Sequence, residues 1–278
     1  MASQHTLHMQ KALDQMNLQL HHVLSSITGV SGLAILDAIL AGERDPVRLA
    51  ALCSRRVKNS RETIAKALQG DYRREHLFAL KQSLDAYRYF QHLMAQLDAE
   101  LETYLKELKT SESAQTEIPK RTKRLPYQKE QNHPDFDLRR EQYRIVGVDL
   151  TDVPGVSVMT AQTIISEIGT AMARFPNASA FASWLGLCPE KQVSGGKVLY
   201  TRTRKVKNRV ANALRMGATC LYHAQNYLGD FLRRMKRKLG APKAVTATAH
   251  KLARIFYRMW TTGQGYADLG SDFYENRY

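Results

Sequence analysis

One short segment combines a hydroxyl, two glycines and a cation: Ser194, Gly195, Gly196 and Lys197 follow one another. Two glycines permit a tight, exposed turn, on which a serine hydroxyl can approach the backbone of a ligand closely. A serine that attacks a phosphate needs positive charge nearby, because negative charge builds up as the new bond forms, and Lys197 could provide it. Ser194 is therefore a candidate nucleophile, and the alternative is a flexible turn without chemistry.

Basic residues follow this turn. The run between positions 201 and 209 carries five cations, which are Arg202, Arg204, Lys205, Lys207 and Arg209. The pattern from Val245 to Trp260 predicts a helix, and Lys251 and Arg254 lie on one face of it with His250 and Arg258. All these cations are candidates for binding phosphates.

The distribution of charge supports that prediction. The chain of 278 residues has a net charge of +15, and residues 151–278 hold 19 Lys and Arg against seven Asp and Glu. Between residues 191 and 258 there are 17 basic residues and one acid, Asp230. Charge this one-sided repels itself unless a polyanion is present. A charge run is often only a solvated face, but this excess predicts nucleic-acid binding.

A second pattern lies upstream, where Pro154, Gly155 and Ser157 precede an apolar helical stretch. It resembles a helix-hairpin-helix element, in which backbone N–H groups at a helix start face a phosphate and read no sequence. The alternative is an ordinary turn between packed helices. Residues 27–31 look like a weaker copy, for which packing and phosphate binding are equally favoured.

The elements that must position these residues are predicted to be mainly α-helical. Apolar residues at three- and four-residue steps indicate a helix from Leu7 to Ile27 and further short helices after it. No Gly or Pro interrupts residues 74–109, where a heptad seam runs from Leu77 to Leu108. This long helix either packs within the chain or forms a coiled coil between two protomers.

The chain divides by composition into three parts. We expect a helical and coiled-coil region over residues 1–109, a linker over 110–137 with three prolines and no periodicity, and a C-terminal domain over 138–278. Residues 188–202 are expected to be a loop or a hairpin around the two glycines. No apolar run reaches the ~18–20 residues that span a bilayer, and the start lacks a signal-peptide pattern, which favours the cytoplasm and argues against a membrane-spanning protein.

Cysteine and histidine usage predicts no structural metal site. Cys53, Cys188 and Cys220 are far apart and odd in number, so we expect buried, reduced thiols. His5 and His8 have no further ligands nearby, and no CxxC pair exists.

Taken together, several motifs resemble those of insertion-sequence transposases related to Piv-type DNA invertases, which are serine recombinases. The motifs are PGVSVMTAQTIISEIG (154–169), FASWLGLCPEKQVSGGKVL (181–199), TRTRKVKNRVANALR (201–215), FLRRMKRKLGAPKAVTATAHKLARIFYRM (231–259) and HMQKALDQMNLQLHHVLSSITGVSGLAILDAILAGERDP (8–46). The similarity covers essentially the whole chain.

This resemblance implies an enzyme of two parts. An N-terminal domain resembling Holliday-junction resolvases would hold magnesium with four acidic residues, and a coiled coil would lead to a C-terminal domain with a nucleophilic serine. Ser194 matches that serine by its place in the SGGK motif. Some members of the family use a bridge RNA as a guide, so DNA and a guide RNA are both expected partners.

The chain departs from this pattern at its start, because Met1 falls just before the helix that should follow the resolvase-like domain. We expect no metal in this chain and magnesium only together with that domain. The favoured hypothesis is a DNA-binding transposase fragment that self-associates through residues 74–109. The alternatives are a transposase-derived DNA- or RNA-binding module without catalysis and, least favoured, a membrane-surface protein.

Overall fold

The computed structural model describes residues 1–114, 117–118, 133–170, 172–204 and 206–274. Within these ranges the chain is mainly helical, which confirms the predicted fold class. It forms two compact units, Met1–Ala99 and Glu100–Tyr278. Most of the predicted linker, with residues 115–116 and 119–132, lies outside the described residues, and so does Lys205.

The first unit consists of five helices and the first part of a long sixth one. They are α1 (Ala2–Gln15), α2 (Leu20–Val23), α3 (Val30–Leu40), α4 (Pro46–Ala51), α5 (Arg61–Ala67) and α6 (Arg74–Glu107). Side chains from every one of these helices, such as Leu13, Ile35 and Leu80, are completely buried in one apolar core. The sequence Asp45-Pro46 is typical of a helix start, and α4 does begin there: the Asp45 carboxylate accepts a hydrogen bond from Val47 N at 2.9 Å with Pro46 in the first turn.

The predicted helix from Leu7 to Ile27 is wrong in extent, since α1 ends at Gln15. Asn17 adopts a left-handed backbone conformation with φ +58°, which stops the helix. The chain is then held by a long-range hydrogen bond from Gln19 N to Ala67 O at 2.8 Å. A tertiary contact thus overrides a periodicity that continues in the sequence.

The second unit contains the last part of α6, six further helices and a two-stranded sheet. The helices are α7 (Leu138–Val146), α8 (Val158–Ile168), α9 (Ala178–Trp184), α10 (Arg209–Cys220), α11 (Tyr227–Leu239) and α12 (Ala241–Thr262). Strands β1 (Pro189–Ser194) and β2 (Lys197–Thr203) join α9 to α10. The core is formed mainly by α8, α10 and α12, and Leu214, Leu252 and Phe256 are among its buried side chains.

The two strands form an antiparallel hairpin, so the hairpin alternative for residues 188–202 is confirmed. Ser194 pairs with Lys197, and only Gly195 and Gly196 lie between them. Both glycines have positive φ, +56° and +78°, the combination that a two-residue hairpin turn of type I′ requires.

The long helix is confirmed over Arg74–Glu107. Its heptad positions Leu80 and Leu84 are fully buried in the core of the first unit, and Leu105 is buried in the core of the second. A neighbouring row is more open, because Leu97 is 68% exposed and Tyr104 is 58% exposed. Seam positions near both ends of α6 therefore pack within the chain, and a coiled coil between two protomers stays a prediction.

The three cysteines are free, but the prediction that all are buried is wrong. Cys53 is buried, Cys188 is half-buried and Cys220 is exposed. Cys220 is the last residue of α10, and the buried face of that helix is formed by Val210, Leu214 and Ala218. Cys220 falls outside this face.

Candidate nucleic-acid interface

The hairpin tip presents the candidate nucleophile to solvent. Ser194, Gly195, Gly196 and Lys197 are all exposed. A Cβ built on either glycine would meet nothing within 4 Å, so the space above the turn is open. Residues paired directly across two strands project from the same face, which brings the Ser194 hydroxyl and the Lys197 ammonium to one side of the hairpin. Among the described residues, none hydrogen-bonds to the Ser194 side chain.

The base of the hairpin is fixed to the end of α9. Arg204 Nη2 donates to the carbonyl oxygen of Ser183 at 2.6 Å and lies 3.3 Å from its hydroxyl. Next to this contact, a Cβ on Gly186 would come within 2.3 Å of Val206 Cγ2, so only glycine lets the chain after the hairpin pack here. Arg204, predicted as a phosphate ligand, is thus also a positioning residue that the sequence did not reveal.

The other predicted cations of this segment differ in their surroundings. The Arg202 guanidinium lies over the Tyr200 ring at 4.5 Å, its Nη2 lies 3.5 Å from the Tyr200 hydroxyl, and the residue is exposed. Lys207 is exposed. Arg209 forms an ion pair of 3.1 Å with Glu167, but its side chain is 79% exposed. These three remain accessible to a polyanion.

The turn at Pro154 and Gly155 is built into the packing of the second unit. Gly155 has φ +83°, and a Cβ there would lie 2.4 Å from the carbonyl oxygen of Gly217 in α10. The Ser157 hydroxyl caps α8 by accepting from Thr160 N at 3.2 Å. Packing therefore accounts for Gly155, while phosphate contacts by the half-exposed Pro154 and Ser157 remain predictions.

The weaker copy in the first unit has a different helix start. A Cβ on Gly32 would come within 2.2 Å of Ile27 O, so this turn is also tightly packed. The start of α3 has Gly29 before it and no side-chain cap, in contrast to the Ser157 cap of α8.

On α12, the predicted arrangement of basic and apolar faces is confirmed. Arg254 and Arg258 are exposed, whereas Leu252, Phe256 and Met259 are buried. Lys251 is half-buried, and its ammonium lies 4.2 Å from the Tyr227 ring centre and 4.0 Å from that of Phe231. Two aromatic rings of α11 thus hold this cation against the surface.

Tyr222 contacts a further cation of the basic segment, and its part in this segment was not predicted from the sequence. Lys236 Nζ donates to its hydroxyl at 2.7 Å and lies 4.3 Å from its ring centre. This hydrogen bond, aided by the lysine charge, lowers the pKa of the Tyr222 phenol. The available signal was the interleaving of aromatic residues with the cations, since Tyr200, Tyr222, Tyr227 and Phe231 all lie between residues 191 and 258.

His250 directly precedes Lys251 on α12 and is half-buried. Burial lowers the pKa of its imidazole, and the nearby Arg254 charge lowers it further. The neutral ring is therefore favoured near neutral pH, with one nitrogen as donor and one as acceptor.

In the described part of the chain, no group of three or more His, Cys, Asp or Glu side chains could hold a metal ion. No helix in that part is long and apolar enough to span a bilayer.

Comparison with known proteins places the hairpin inside a recognised segment. Residues 149–233 match the family described as "Transposase IS116/IS110/IS902 family". The chain is also 32% identical over 127 residues to "Putative transposase y4pF/y4sB" of Sinorhizobium fredii (strain NBRC 101917 / NGR234). That alignment covers 42% of this chain and 32% of the relative, so the chain spans about a third of the relative's length. Over these segments the chain is similar to insertion-sequence transposases.

Proposed function

We propose that this chain is a DNA-binding part of an insertion-sequence transposase, and that Ser194 is its nucleophile in strand cleavage and rejoining. The observation that carries the proposal is the exposed pair of Ser194 and Lys197 at the tip of a hairpin within the matched segment 149–233. A hydroxyl and a cation on one face of an open turn fit a phosphodiester.

Duplex DNA would be held mainly through its phosphates. The exposed cations of the hairpin, the start of α10 and α12 supply the contacts: Lys197, Arg202, Lys207, Arg209 and Arg254. Lys205, which lies between Arg204 and Lys207 in the sequence, is proposed as a further phosphate contact. Lys251 adds a cation that aromatic rings hold in place. Backbone N–H groups near Pro154 and Ser157 would contribute contacts of the same kind. Such contacts fix the position of a duplex without reading its bases.

The proposed reaction exchanges one phosphodiester for another. Ser194 Oγ loses its proton to a base and attacks the scissile phosphorus, forming a new P–O bond. One P–O bond to a sugar breaks, and the released sugar oxygen takes up a proton. The intermediate is a serine phosphodiester, and attack by a sugar hydroxyl of another strand reverses the steps and frees Ser194. Since a P–O bond is formed for each one broken, no energy-rich cofactor is required.

Two components of this reaction would come from elsewhere. A serine hydroxyl is a weak nucleophile without a base, and Lys197 and Arg202 suit stabilisation of charge better than proton acceptance near neutral pH. Magnesium would be held by a separate resolvase-like domain. Among the described residues of this chain, no group of three or more His, Cys, Asp or Glu side chains could hold it.

A second candidate is a binding module without catalysis. Its support is that the hydroxyl of Ser194 has no hydrogen-bonded base among the described residues. In that case the hairpin would only bind nucleic acid, either DNA or a guide RNA. If the chain bound a structured RNA and had no affinity for duplex DNA, that result would favour the candidate without catalysis.

Salt dependence of DNA binding tests the proposed interface. If about six phosphates are contacted, the logarithm of the association constant should fall with the logarithm of salt concentration at a slope near −5. Arg202→Ala with Lys207→Ala should weaken binding to all sequences alike and make the slope less steep by about 2. The matched control is Arg48→Ala with Lys81→Ala, which also removes two exposed charges but from the first unit. A slope near zero for the parent chain, or equal losses for both double variants, would contradict the proposed interface.

A further inference from the structure

A groove in the second unit opens beside the base of the hairpin. Its walls are apolar: Leu187 lies just before β1, Pro189 begins β1, Phe231 lies on α11 and Ala247 lies on α12. Its volume is about 450 Å3, within the range of roughly 300–1,000 Å3 that small-ligand pockets occupy. Phe231 is half-buried and Pro189 is exposed, so a flat group can reach both of them.

Polar groups of α12 line the same groove. His250, Lys251 and Arg254 follow Ala247 at helical spacing, so all four lie on one helix face. Arg254 is exposed, and Lys251 is held over the ring of Phe231. The half-buried His250 imidazole has no hydrogen-bond partner among the described residues. An apolar slot, a neutral donor and acceptor, and two adjacent cations are thus brought together.

We infer that this groove binds the base of one unpaired nucleotide in a DNA strand, an inference that rests on the proposed function. The base would lie between the apolar walls, where a flat π system packs well. His250 would face its polar edge, and Arg254 would neutralise the phosphate attached to it. A peptide segment fits less well because two cations line an otherwise apolar slot. A second copy of this chain fits poorly here too, because residues 151–278, which form the groove, hold 19 Lys and Arg against seven Asp and Glu and would repel the same region of another copy.

The groove is a separate site from the hairpin tip. From Pro189 to Ser194, strand β1 advances roughly 17 Å at about 3.3 Å per residue. One nucleotide spans only about 3.4 Å of a strand in a duplex. The base in the groove therefore belongs to a different nucleotide from the phosphate at Ser194, and the two sites together would hold a strand that is locally opened.

The test compares three labelled DNA duplexes of equal length by fluorescence anisotropy with the full chain. One is fully paired, one has a single unpaired adenine, and one has an abasic sugar at the unpaired position. The stacking of a base on protein side chains typically raises binding affinity at least about fivefold. We therefore expect the unpaired adenine to bind at least fivefold more tightly than the abasic duplex. Ala247→Leu, which fills the groove, should bring this ratio near one without changing affinity for the paired duplex.

The matched control is Ala241→Leu, the same change at an exposed position of the same helix outside the groove. It should keep the parent ratio, and circular dichroism should show that both variants are folded.

Equal binding of adenine and abasic duplexes by the parent, or an unchanged ratio in Ala247→Leu, would overturn the inference. A preference seen only with an unpaired nucleotide in RNA would overturn its assignment to DNA. If Ala247→Leu changed only the sedimentation coefficient, the groove would belong to a second copy. Lack of binding to the paired duplex would instead contradict the proposed function.

Discussion

Gly155 and Gly217 approach each other so closely that neither position has room for a side chain. A Cβ on Gly155 would lie 2.4 Å from Gly217 O, and a Cβ on Gly217 would lie 2.8 Å from Gly155 O. The turn before α8 thereby packs directly against α10, the helix that follows the hairpin. This contact explains the close packing of the Pro-Gly turn without reference to a ligand, and it fixes the start of α8 relative to α10.

Gly155→Ala should therefore destabilise the second unit by about 2 kcal/mol or more. The cost combines a positive φ that alanine tolerates poorly with overpacking against a carbonyl oxygen. Urea unfolding measures the change in free energy. Gly265→Ala serves as the control, because a Cβ there would meet nothing within 4 Å and the backbone has no positive φ. Equal stability of the two variants would show that the contact is unimportant.

Arg204 should fix the hairpin in place. Arg204→Ala removes its hydrogen bonds to Ser183, so amide hydrogen exchange in strands β1 and β2 should become faster. Arg202→Ala removes a charge from the same strand region but only a contact with Tyr200, and it should leave exchange near the parent rate. If both variants exchange alike, Arg204 acts only as a surface cation.

Tyr222 should titrate at lower pH than an ordinary tyrosine, because Lys236 stabilises its phenolate. Lys236→Met removes both the hydrogen bond and the charge, so the pKa of Tyr222 should rise. Ultraviolet difference titration can follow this phenol if each spectrum is compared with that of the matching Tyr222→Phe variant. Lys238→Met, an exposed lysine two residues along α11, is the control that should leave the Tyr222 pKa nearly unchanged. A Tyr222 pKa that is the same with and without Lys236 would contradict the contact.

Self-association is expected to depend on the exposed row of α6. Leu97→Asp should leave the fold intact and shift sedimentation towards a smaller species, because Leu97 is 68% exposed. Leu84→Asp should instead unfold the first unit, since this side chain is completely buried and would place a charge in the core. Analytical ultracentrifugation with circular dichroism separates the two effects. An unchanged sedimentation coefficient in Leu97→Asp would mean that this position mediates no association.

The elements that were predicted correctly are those that local sequence determines. The glycine pair at 195 and 196 predicted a loop or a hairpin, of which the hairpin is present, and Asp45 with Pro46 predicted a helix start. The contacts that could not be predicted join residues distant in sequence. Arg204 lies 21 residues from Ser183, and nothing in either segment indicates that they meet. The helix end near Asn17 likewise depends on a hydrogen bond to Ala67.

Ser194 at the hairpin tip is the proposed nucleophile, and the most direct consequence of that role is a covalent link between the protein and DNA. We expect no adduct with the chain alone, because a serine hydroxyl needs a base and the reaction would need the resolvase-like domain. With that domain supplied, fused or in trans, labelled DNA should migrate with the protein on a denaturing gel. The adduct should vanish in Ser194→Ala, whereas affinity for the duplex should stay nearly unchanged, since one hydroxyl contributes little to phosphate binding. An adduct that survives Ser194→Ala would contradict the assignment, and Ser194 would then be a turn residue only.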